Sequence, residues 1–382
     1  MQFLECLGKR IYLSTAKTAT IYLKRLTPTG FPTDAIPDAI LIGPAEPPPA
    51  QDAHMASQTR YIDRVIPHIS MHDFEDRIDE ITDQLIHAAE NVGFFTLIGH
   101  GISKEHIDSM FAISKSFFDL PDNVKATVPW NSNNVGWEKN SQIRPSTGQP
   151  DSKESYQLQF GENMNDLWVK YDDLPGFRTA SLDFMNRVQQ VSECLMRCFA
   201  RGLGFPERFF IECHGISRPN SQTTMRLLHY FALPEIPDGK VYHRAGAHAD
   251  WDFLTLLFQR DGQDGLEICP GREVVTEFGI GDEWTKVKAR TGQIVCNIGD
   301  LLMSWSDDRF KSTFHRVKAP CEPGDYFGDR YSIAYFNQPC KDSLIQGPSK
   351  KYPMVTGAQF TDTAMKRNFA ALQERLKTVA AA

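Results

Sequence analysis

The fold of this chain is decided by the stretch Gly246-Ala247-His248-Ala249-Asp250-Trp251, which is followed closely by the apolar run Leu254-Thr255-Leu256-Leu257-Phe258. Side chains two positions apart on a β-strand point to the same face. His248 and Asp250 can therefore reach one metal ion from the inside of a β-sandwich or barrel. We expect the apolar run to continue the same strand into the core, so that the pair lies at the mouth of the strand.

A third candidate ligand, His315, lies in the stretch Ser312-Thr313-Phe314-His315-Arg316-Val317. Two imidazoles and one carboxylate hold non-haem Fe(II) by one face and leave the other positions open. An ion that binds O2 and a substrate together needs such open positions. A His-x-Asp pair is a weak signal by itself, and Asp252 and His243 are competing ligands nearby. We expect Asp252 in a loop beside the metal or against a substrate, and His243 in solvent.

From residue 223 onward, short apolar runs alternate with Gly, Asp and Pro turns, which is typical of a sandwich or barrel of many strands. The predicted strands are Met225–Leu233, Phe253–Phe258, Leu266–Ile268, Gln293–Ile298, Leu301–Trp305 and Tyr331–Phe336. Strands far apart in sequence meet in a jelly roll, so His315 can approach the other two candidate ligands there. Residues 357–377 return to a helical apolar stripe.

The preceding part of the chain favours helices, because its apolar residues recur at three- and four-residue steps. Its folded part is expected to start near Ile66-Pro67-His68-Ile69, and residues 129–153 predict a long loop. The predicted elements are a helix from Ile78 to a stop at Gly93, a buried strand Phe94-Phe95-Thr96-Leu97-Ile98, a helix from the cap Ser103 to about Phe118, and a helix over residues 178–202. The whole pattern predicts an α+β fold.

The composition of the 382 residues is that of an ordinary globular protein, with 41% hydrophobic and 23% charged residues. A net charge of -7 argues against general nucleic-acid binding, which favours a basic face. No apolar run approaches the roughly 20 residues of a membrane-spanning helix. Eight scattered cysteines without a CxxC pair fit a reducing compartment. We therefore expect a cytoplasmic protein that binds neither nucleic acid nor membrane, as a monomer or weak homodimer.

Residues 1–60 differ from the rest of the chain. Residues 43–50 are rich in proline and carry no core-forming pattern. Residues 1–30 are basic and resemble a transit peptide weakly. We expect a disordered extension, or sequence upstream of a later start at Met55.

A second constellation follows His315, in Arg330-Tyr331-Ser332 at the opening of a predicted strand. Arg330 and Ser332 share one face of that strand. A guanidinium forms paired, charge-assisted hydrogen bonds with a carboxylate, and a neighbouring hydroxyl adds another. The pair suits the far carboxylate of a dicarboxylic co-substrate, and Tyr230 offers one more hydroxyl. By itself, Arg330 would more often be a surface or salt-bridged arginine.

Over about residues 62–345 the chain resembles the isopenicillin N synthase-like family of Fe(II)/2-oxoglutarate-dependent dioxygenases. Several motifs in the family's order carry this resemblance. They are Gly93-Phe94-Phe95, Gly99-His100-Gly101-Ile102, Phe117-Phe118-Asp119-Leu120-Pro121, His248-Ala249-Asp250, Gly265-Leu266-Glu267-Ile268, Asn297-Ile298-Gly299-Asp300, His315-Arg316-Val317 and Arg330-Tyr331-Ser332.

The resemblance implies a double-stranded β-helix (a jelly roll, cupin-like) flanked by helices. We expect an N-terminal helical and β part over residues 61–175 and the jelly-roll core with its C-terminal helix over residues 176–382. It also implies that His248, Asp250 and His315 hold Fe(II), and that Arg330, Ser332 and Tyr230 hold 2-oxoglutarate. With O2, such an enzyme oxidises a C–H bond of a small metabolite by hydroxylation, desaturation or ring formation, here in secondary metabolism.

The sequence predicts the identity of the substrate less clearly than the metal and the co-substrate. Two turn-rich segments, around residues 273–283 and 321–329, are longer than is usual in the family. The segment over residues 129–160 would cover the site, and it carries Trp137 and Arg144. A small acidic or amino-acid substrate would suit Arg144 or Lys153, whereas a flat polycyclic one would suit Trp137 and Phe336. Trp251, Trp305 and Phe336 are further candidates for the pocket wall.

Two other interpretations stay open. An oxidase of the same family takes all its electrons from its substrate, and Arg330 and Ser332 would then bind a substrate carboxylate. A zinc hydrolase, or an inactive binding protein with the same barrel, could also use two histidines and a carboxylate. Succinate formation separates the first alternative, and metal dependence separates the second.

Overall fold

The computed structural model describes residues 3–6, 9–12, 59–142, 151–233, 243–273 and 283–367. The chain divides into two compact units, Met1–Glu46 and Pro47–Ala382. In the first unit, strand β1 (Phe3–Cys6) pairs antiparallel with β2 (Lys9–Tyr12). All elements named below belong to the second unit.

The helices confirm the pattern of three- and four-residue steps. They are α1 (Ile78–Asn91), α2 (Lys104–Phe118), α3 (Asp122–Lys125), α4 (Phe177–Leu203), α5 (Phe209–Cys213) and α6 (Asp300–Trp305), with a 3-10 turn at Glu162–Met164 and helical residues 357–367. The Ser103 side chain caps α2 by accepting a hydrogen bond from the backbone N–H of His106. Gly93 follows α1 with a φ of +72°, and a Cβ there would lie 2.2 Å from the carbonyl oxygen of Lys311. Only glycine fits this turn. The rest of the predicted C-terminal helix lies outside the described residues.

Fifteen strands form two large sheets and one small pair in the described part of this unit. The strands are β3 (Arg60–Tyr61), β4 (His68–Ser70), β5 (Phe94–Ile98), β6 (Gly136–Lys139), β7 (Lys153–Leu158), β8 (Thr224–Tyr230), β9 (His243–His248), β10 (Leu254–Gln259), β11 (Leu266–Glu273), β12 (Glu283–Lys286), β13 (Ile294–Ile298), β14 (Thr313–Lys318), β15 (Arg330–Asn337), β16 (Leu344–Ile345) and β17 (Val355–Thr356). The main sheet has the order β4-β5-β13-β10-β15-β8-β7-β6. The smaller sheet has the order β3-β12-β11-β14-β9, and β16 pairs with β17.

The two sheets face each other, and the helices cover the outer face of the main sheet. Leu228, Tyr230 and Ala334 of the main sheet pack against Ala245 and Val317 of the smaller sheet. On the outer face, residues of α1, α2 and α4 join the largest apolar cluster. The expected jelly-roll core flanked by helices is confirmed.

Three predictions of elements were wrong. Leu301–Trp305 lies in the helix α6 and is not a strand. A short, mostly apolar run shows no periodicity that separates a helix from a strand, which explains the wrong prediction. Leu254–Phe258 does not continue the strand of His248: β9 and β10 belong to different sheets. The segment 129–153 is not all loop, since β6 lies within it.

Strands from before and after residue 175 share the main sheet, so both parts of the chain build one structure. The expected boundaries at residues 60 and 175 stay predictions. In the described part of the chain, no helix is long and apolar enough to cross a membrane.

Candidate metal centre and anion pocket

Three side chains predicted from the sequence converge between the sheets. His248, Asp250 and His315 each offer one ligand atom, and these three atoms lie within 4.8 Å of one another. Asp250 Oδ1 is 3.7 Å from His248 Nε2, and Asp250 Oδ2 is 3.6 Å from His315 Nε2. The imidazole centroids are 4.3 Å apart. Two neutral nitrogens and one carboxylate at this spacing can hold a divalent transition metal from one side.

The local backbone brings the three together in a way that the sequence analysis did not foresee. His248 ends β9 and lies directly opposite His315 on β14. Asp250, however, is not on that strand: it lies in the connection to β10. The N-terminus of α6 fixes this connection, because the backbone N–H of Asp300 donates to the carbonyl oxygen of Asp250 at 2.8 Å. The two-residue spacing thus predicted that His248 and Asp250 lie together, although the two residues do not share one strand.

Two neighbours orient the Asp250 carboxylate. Thr255 Oγ1 donates to Asp250 Oδ2 at 2.7 Å, and Asn297 Nδ2 donates to the same oxygen at 2.9 Å. Both neighbours come from adjacent central strands, β10 and β13. Hydrogen bonds of this kind fix the rotamer of a ligand and tune its affinity for a metal. Asn297 lies in a motif noted in the sequence, but neither residue was assigned this role; a buried Thr or Asn beside a ligand was the available signal.

Each histidine presents its Nε2 to the centre. His248 Nδ1 is 2.8 Å from the carbonyl oxygen of Gly246, and His315 Nδ1 is 3.4 Å from that of Thr313. A carbonyl oxygen can only accept a hydrogen bond, so Nδ1 is the donor in each contact and Nε2 is the nitrogen that faces the other candidate ligands. Phe94 packs its ring edge against His315, with centroids 5.6 Å apart. The donor set thus fits a metal such as Fe(II) or Zn(II).

Asp252 is buried beside this centre but does not belong to the group of three candidate ligands. Its Oδ2 lies 2.9 Å from Thr255 Oγ1. Burial, together with the charge of Asp250, raises the pKa of Asp252 well above its ordinary value. Gly299 packs so closely that a Cβ would lie 2.1 Å from the carbonyl oxygen of Asp252. Close approach of the backbone explains the glycine in the motif Asn297-Ile298-Gly299-Asp300.

Arg330 lies on the inner face of β15 and is only 1% exposed. Its guanidinium donates to Gln259 Oε1 at 2.8 Å and to the carbonyl oxygen of Gln263 at 3.1 Å, and its Nη1 is 3.4 Å from Ser332 Oγ. None of the carboxylates in the described residues forms an ion pair with Arg330. Burial lowers the pKa of this arginine from its ordinary value. A buried cation without a paired acid is costly unless an anion binds to it.

Tyr230 completes the predicted group. It lies opposite Arg330 in the pairing of β8 with β15, and the guanidinium carbon is 5.1 Å from the centroid of its ring. On its other side, Lys153 Nζ lies 5.9 Å from the same centroid. The structure thus brings Arg330, Ser332 and Tyr230 together on the sheet face that carries Thr255.

Of the remaining residues predicted for the site, some lie near the candidate ligands and others do not. Phe336 lies on the inner face of β15, and the partly exposed Trp251 follows Asp250 directly. Trp137 lies on the opposite sheet face, where its indole N–H donates to Glu154. Trp305 is buried among Phe209, Phe210 and Phe253 in the core, and does not line the site. Arg144 lies outside the described residues.

The position of His243 differs from the expectation of a solvated side chain. It opens β9, and its Nε2 is buried. Burial lowers the pKa of His243 to about 4. This histidine therefore stays neutral at neutral pH and lies five residues from His248 along the strand.

Some side chains on the inner face of the main sheet keep partial exposure. Most residues of the central strands are buried, and the partly exposed ones include Arg226, Leu257 and Phe336 on the inner face. The Arg226 guanidinium lies 5.0 Å above the ring of Phe336 and donates to Gln157 Oε1 at 2.6 Å. Sequence reasoning missed Arg226, although an arginine inside an apolar strand was its signal. Two cavities in the described part of the chain, of about 270 and 420 Å³, contain none of the three candidate ligands.

Comparisons with known proteins agree with this geometry. Residues 66–174 match the family model of the N-terminal part of a non-haem dioxygenase in morphine synthesis, and residues 222–339 match the 2OG-Fe(II) oxygenase superfamily. A 2-oxoglutarate-Fe(II) type oxidoreductase, ppzD of Metarhizium rileyi, is 30% identical, over 77% of this chain and 87% of its own length. The proline hydroxylase buaE of Petromyces alliaceus is 33% identical, over 71% and 85%.

Solved structures show the same likeness. The crystal structure of a full-length Neurospora crassa protein in complex with alpha-KG has a TM-score of 0.67 and 28% identity, and the match covers 82% of this chain and 96% of that one. The structure of JOX2 in complex with 2OG, Fe and JA has a TM-score of 0.61 and 25% identity, over 78% and 85%.

Proposed function

Because this chain belongs to the isopenicillin N synthase-like family of Fe(II)/2-oxoglutarate-dependent dioxygenases, we propose that it oxidises a C–H bond of a small metabolite by hydroxylation, desaturation or ring formation. The enzyme uses Fe(II) as its metal, 2-oxoglutarate as co-substrate and O2 as oxidant. Relatives such as ppzD and buaE, and the family's chemistry, support a metabolite of secondary metabolism as the substrate.

We propose that His248, Asp250 and His315 hold the iron. Their donor atoms lie within 4.8 Å of one another, and both histidines present a lone pair at Nε2. When bound, Fe(II) supplies the activation of O2 that no side chain can supply. The protein residues keep the three donors in place: Thr255 and Asn297 hold the carboxylate.

The observation that carries the proposal is the buried Arg330 on the same inner face. It has hydrogen bonds to neutral groups only, and no acid pairs with it in the described residues. A bound carboxylate would restore the charge balance and accept two parallel N–H donors. Ser332 and Tyr230 lie beside the guanidinium. We propose that these three residues bind the far carboxylate of 2-oxoglutarate and so orient its 2-oxo acid end toward the iron ligands.

We propose that the metabolite binds along the partly exposed residues of the inner face, next to the iron ligands. Phe336 lies directly opposite Thr255, which bonds to Asp250. A substrate packed on Phe336 would therefore have its reacting carbon near the iron. Arg226 above the ring offers a charge-assisted donor to a polar group of this substrate. Trp251 is a further candidate for the wall.

A screen of small metabolites against the Fe(II)-loaded enzyme tests this function, with succinate release and substrate oxidation read by mass spectrometry. We expect substrate-dependent succinate in a one-to-one ratio to oxidised product. Product without succinate would support the oxidase alternative, in which Arg330 holds a substrate carboxylate. Activity with Zn(II) instead of Fe(II) would support the hydrolase alternative.

The partners and the location are also part of this proposal. The net charge of -7 supports an enzyme that does not bind nucleic acid, and the free cysteines of the described residues support a reducing compartment such as the cytoplasm. We propose a monomer or weak homodimer. Size-exclusion chromatography with light scattering over a range of concentrations tests this state.

A further inference from the structure

A second buried arginine lies next to the pocket of Arg330. Arg244 is on β9, four residues before His248, and is only 1% exposed. One terminal nitrogen of its guanidinium donates to the carbonyl oxygen of Gly328 at 2.6 Å, and lies 3.5 Å from that of Phe231. Phe231 follows Tyr230, and Gly328 comes two residues before Arg330. These contacts place Arg244 beside the end of β8 and the segment that leads into β15, close to Tyr230 and Arg330.

The guanidinium of Arg244 forms no ion pair within the described part of the chain. No carboxylate of the described residues pairs with it, and its Nε is buried without a hydrogen bond. Asp329 follows Gly328 directly and its charge acts on Arg244, but that carboxylate is half exposed and accepts hydrogen bonds from His229 and the backbone of Ala232 rather than from Arg244. Burial and the charge of Arg330 lower the pKa of Arg244 to about 10, so it remains a cation at neutral pH.

A third buried cation among the described residues here has an acidic partner. Lys153, on the far side of the Tyr230 ring, pairs with Asp151 at 3.0 Å, and both are buried. Among the described residues, Arg244 and Arg330 are thus two buried cations near Tyr230 that form no ion pair. One ligand carboxylate offsets only one of them, and two buried like charges raise each other's free energy in a region of low dielectric.

We propose that Arg244 is a second cation of the co-substrate pocket and determines its selectivity for a 2-oxo acid with a far carboxylate. The inference rests on the proposed function, because it assumes that the far carboxylate of 2-oxoglutarate binds Arg330. The carboxylate then enters a site with two positive charges instead of one. A 2-oxo acid without the far carboxylate gains nothing from Arg244 and leaves both charges buried and unbalanced.

The test compares two probes, one with the far carboxylate and one without it: 2-oxoglutarate and 2-oxobutanoate. Their dissociation constants are measured by calorimetry on Fe(II)-loaded protein without O2, so that no turnover is needed. The variants are Arg244→Gln, which removes the charge, and Arg244→Lys, which keeps it. Arg187→Gln is the matched control, since Arg187 is a partly exposed residue of α4 that pairs with Asp183.

We expect Arg244→Gln to weaken the binding of 2-oxoglutarate roughly tenfold or more and to change that of 2-oxobutanoate less than about twofold. Arg244→Lys should keep most of the preference, and Arg187→Gln all of it. An equal loss for both probes, or a lower melting temperature with an unchanged preference, would overturn the assignment and leave Arg244 a structural residue.

If Arg244→Gln does not fold, Arg244→Lys decides: loss of the preference in this charge-conserving variant overturns the role of the charge. A failure of the proposed function would look different. The unmodified protein would then bind 2-oxoglutarate no better than 2-oxobutanoate.

Discussion

Thr255→Val is the sharpest perturbation of the metal centre. Threonine and valine have nearly the same shape, and the side chain is buried on the central strand β10, so packing is preserved. The change removes one hydroxyl that lies 2.7 Å from Asp250 Oδ2 and 2.9 Å from Asp252 Oδ2. Asp250 then loses one of the donors that orient it.

The size of the effect follows from these contacts. A hydrogen bond to a charged group contributes about 1.5–3 kcal/mol. Asn297 Nδ2 remains at 2.9 Å from the same oxygen, so we expect the lower end of this range. About 1.5 kcal/mol corresponds to roughly a tenfold weaker affinity for Fe(II), within the range typical of residues that support a metal ligand.

Anaerobic titration of Fe(II) against a competing chelator measures this affinity, and thermal unfolding without metal measures stability. Thr285→Val is the matched control, because Thr285 is equally buried but donates to the backbone carbonyl of Ile62 in the smaller sheet. An Fe(II) affinity within twofold of the unmodified protein, or the same loss in the Thr285 variant, would refute the reasoning.

Three further outcomes are expected. His315→Ala should abolish Fe(II)-dependent turnover and leave the circular dichroism spectrum largely unchanged; turnover at the unmodified rate would remove His315 from the ligand set. Arg330→Ala should raise the 2-oxoglutarate concentration needed for half-maximal rate by roughly tenfold or more, and an unchanged requirement would point to the oxidase alternative. Burial lowers the pKa of His214 to about 4, below the ordinary value of about 6.5. The unfolded chain then takes up the proton more readily, so this histidine destabilises the fold by roughly 3 kcal/mol as the pH falls from about 6.5 to 4 and has no such effect above that range; an unfolding free energy with the same pH slope in His214→Asn would contradict this.

Sequence reasoning worked best where one physical signal dominates. The apolar steps of α1 and α4 predicted both helices, and the Ser103 cap fixed the start of α2. The candidate ligands were predicted as a set because few residue types bind iron. The structure then brought His248, Asp250 and His315 together.

Sequence reasoning failed where contacts between residues far apart in sequence determine the structure. Asp250 owes its position to the N-terminus of α6, some 50 residues away along the chain, and no local period reveals this contact. The same run Leu301–Trp305 that forms α6 was predicted as a strand. Arg244 had a signal, an arginine among Ala and Gly in a buried strand, but its meaning depends on which acids lie nearby.

The strand order of the main sheet determines when this protein can finish folding. The edge strands β4, β5, β6 and β7 all come from the first 160 residues, and they lie at opposite edges. They are joined only when β15 inserts between β10 and β8. A chain that ends before residue 330 would hold two half-sheets with unpaired edges, which are prone to aggregate.

Pairing between strands far apart in sequence is slow. Completion of the main sheet therefore waits for the late pairing of β15 with β10 and β8. The same strand carries Arg330 and Ser332. If Arg330 and Ser332 bind the co-substrate as proposed, closure of the sheet and formation of that pocket are a single step of folding, and a ligand of the pocket would stabilise the product of this step.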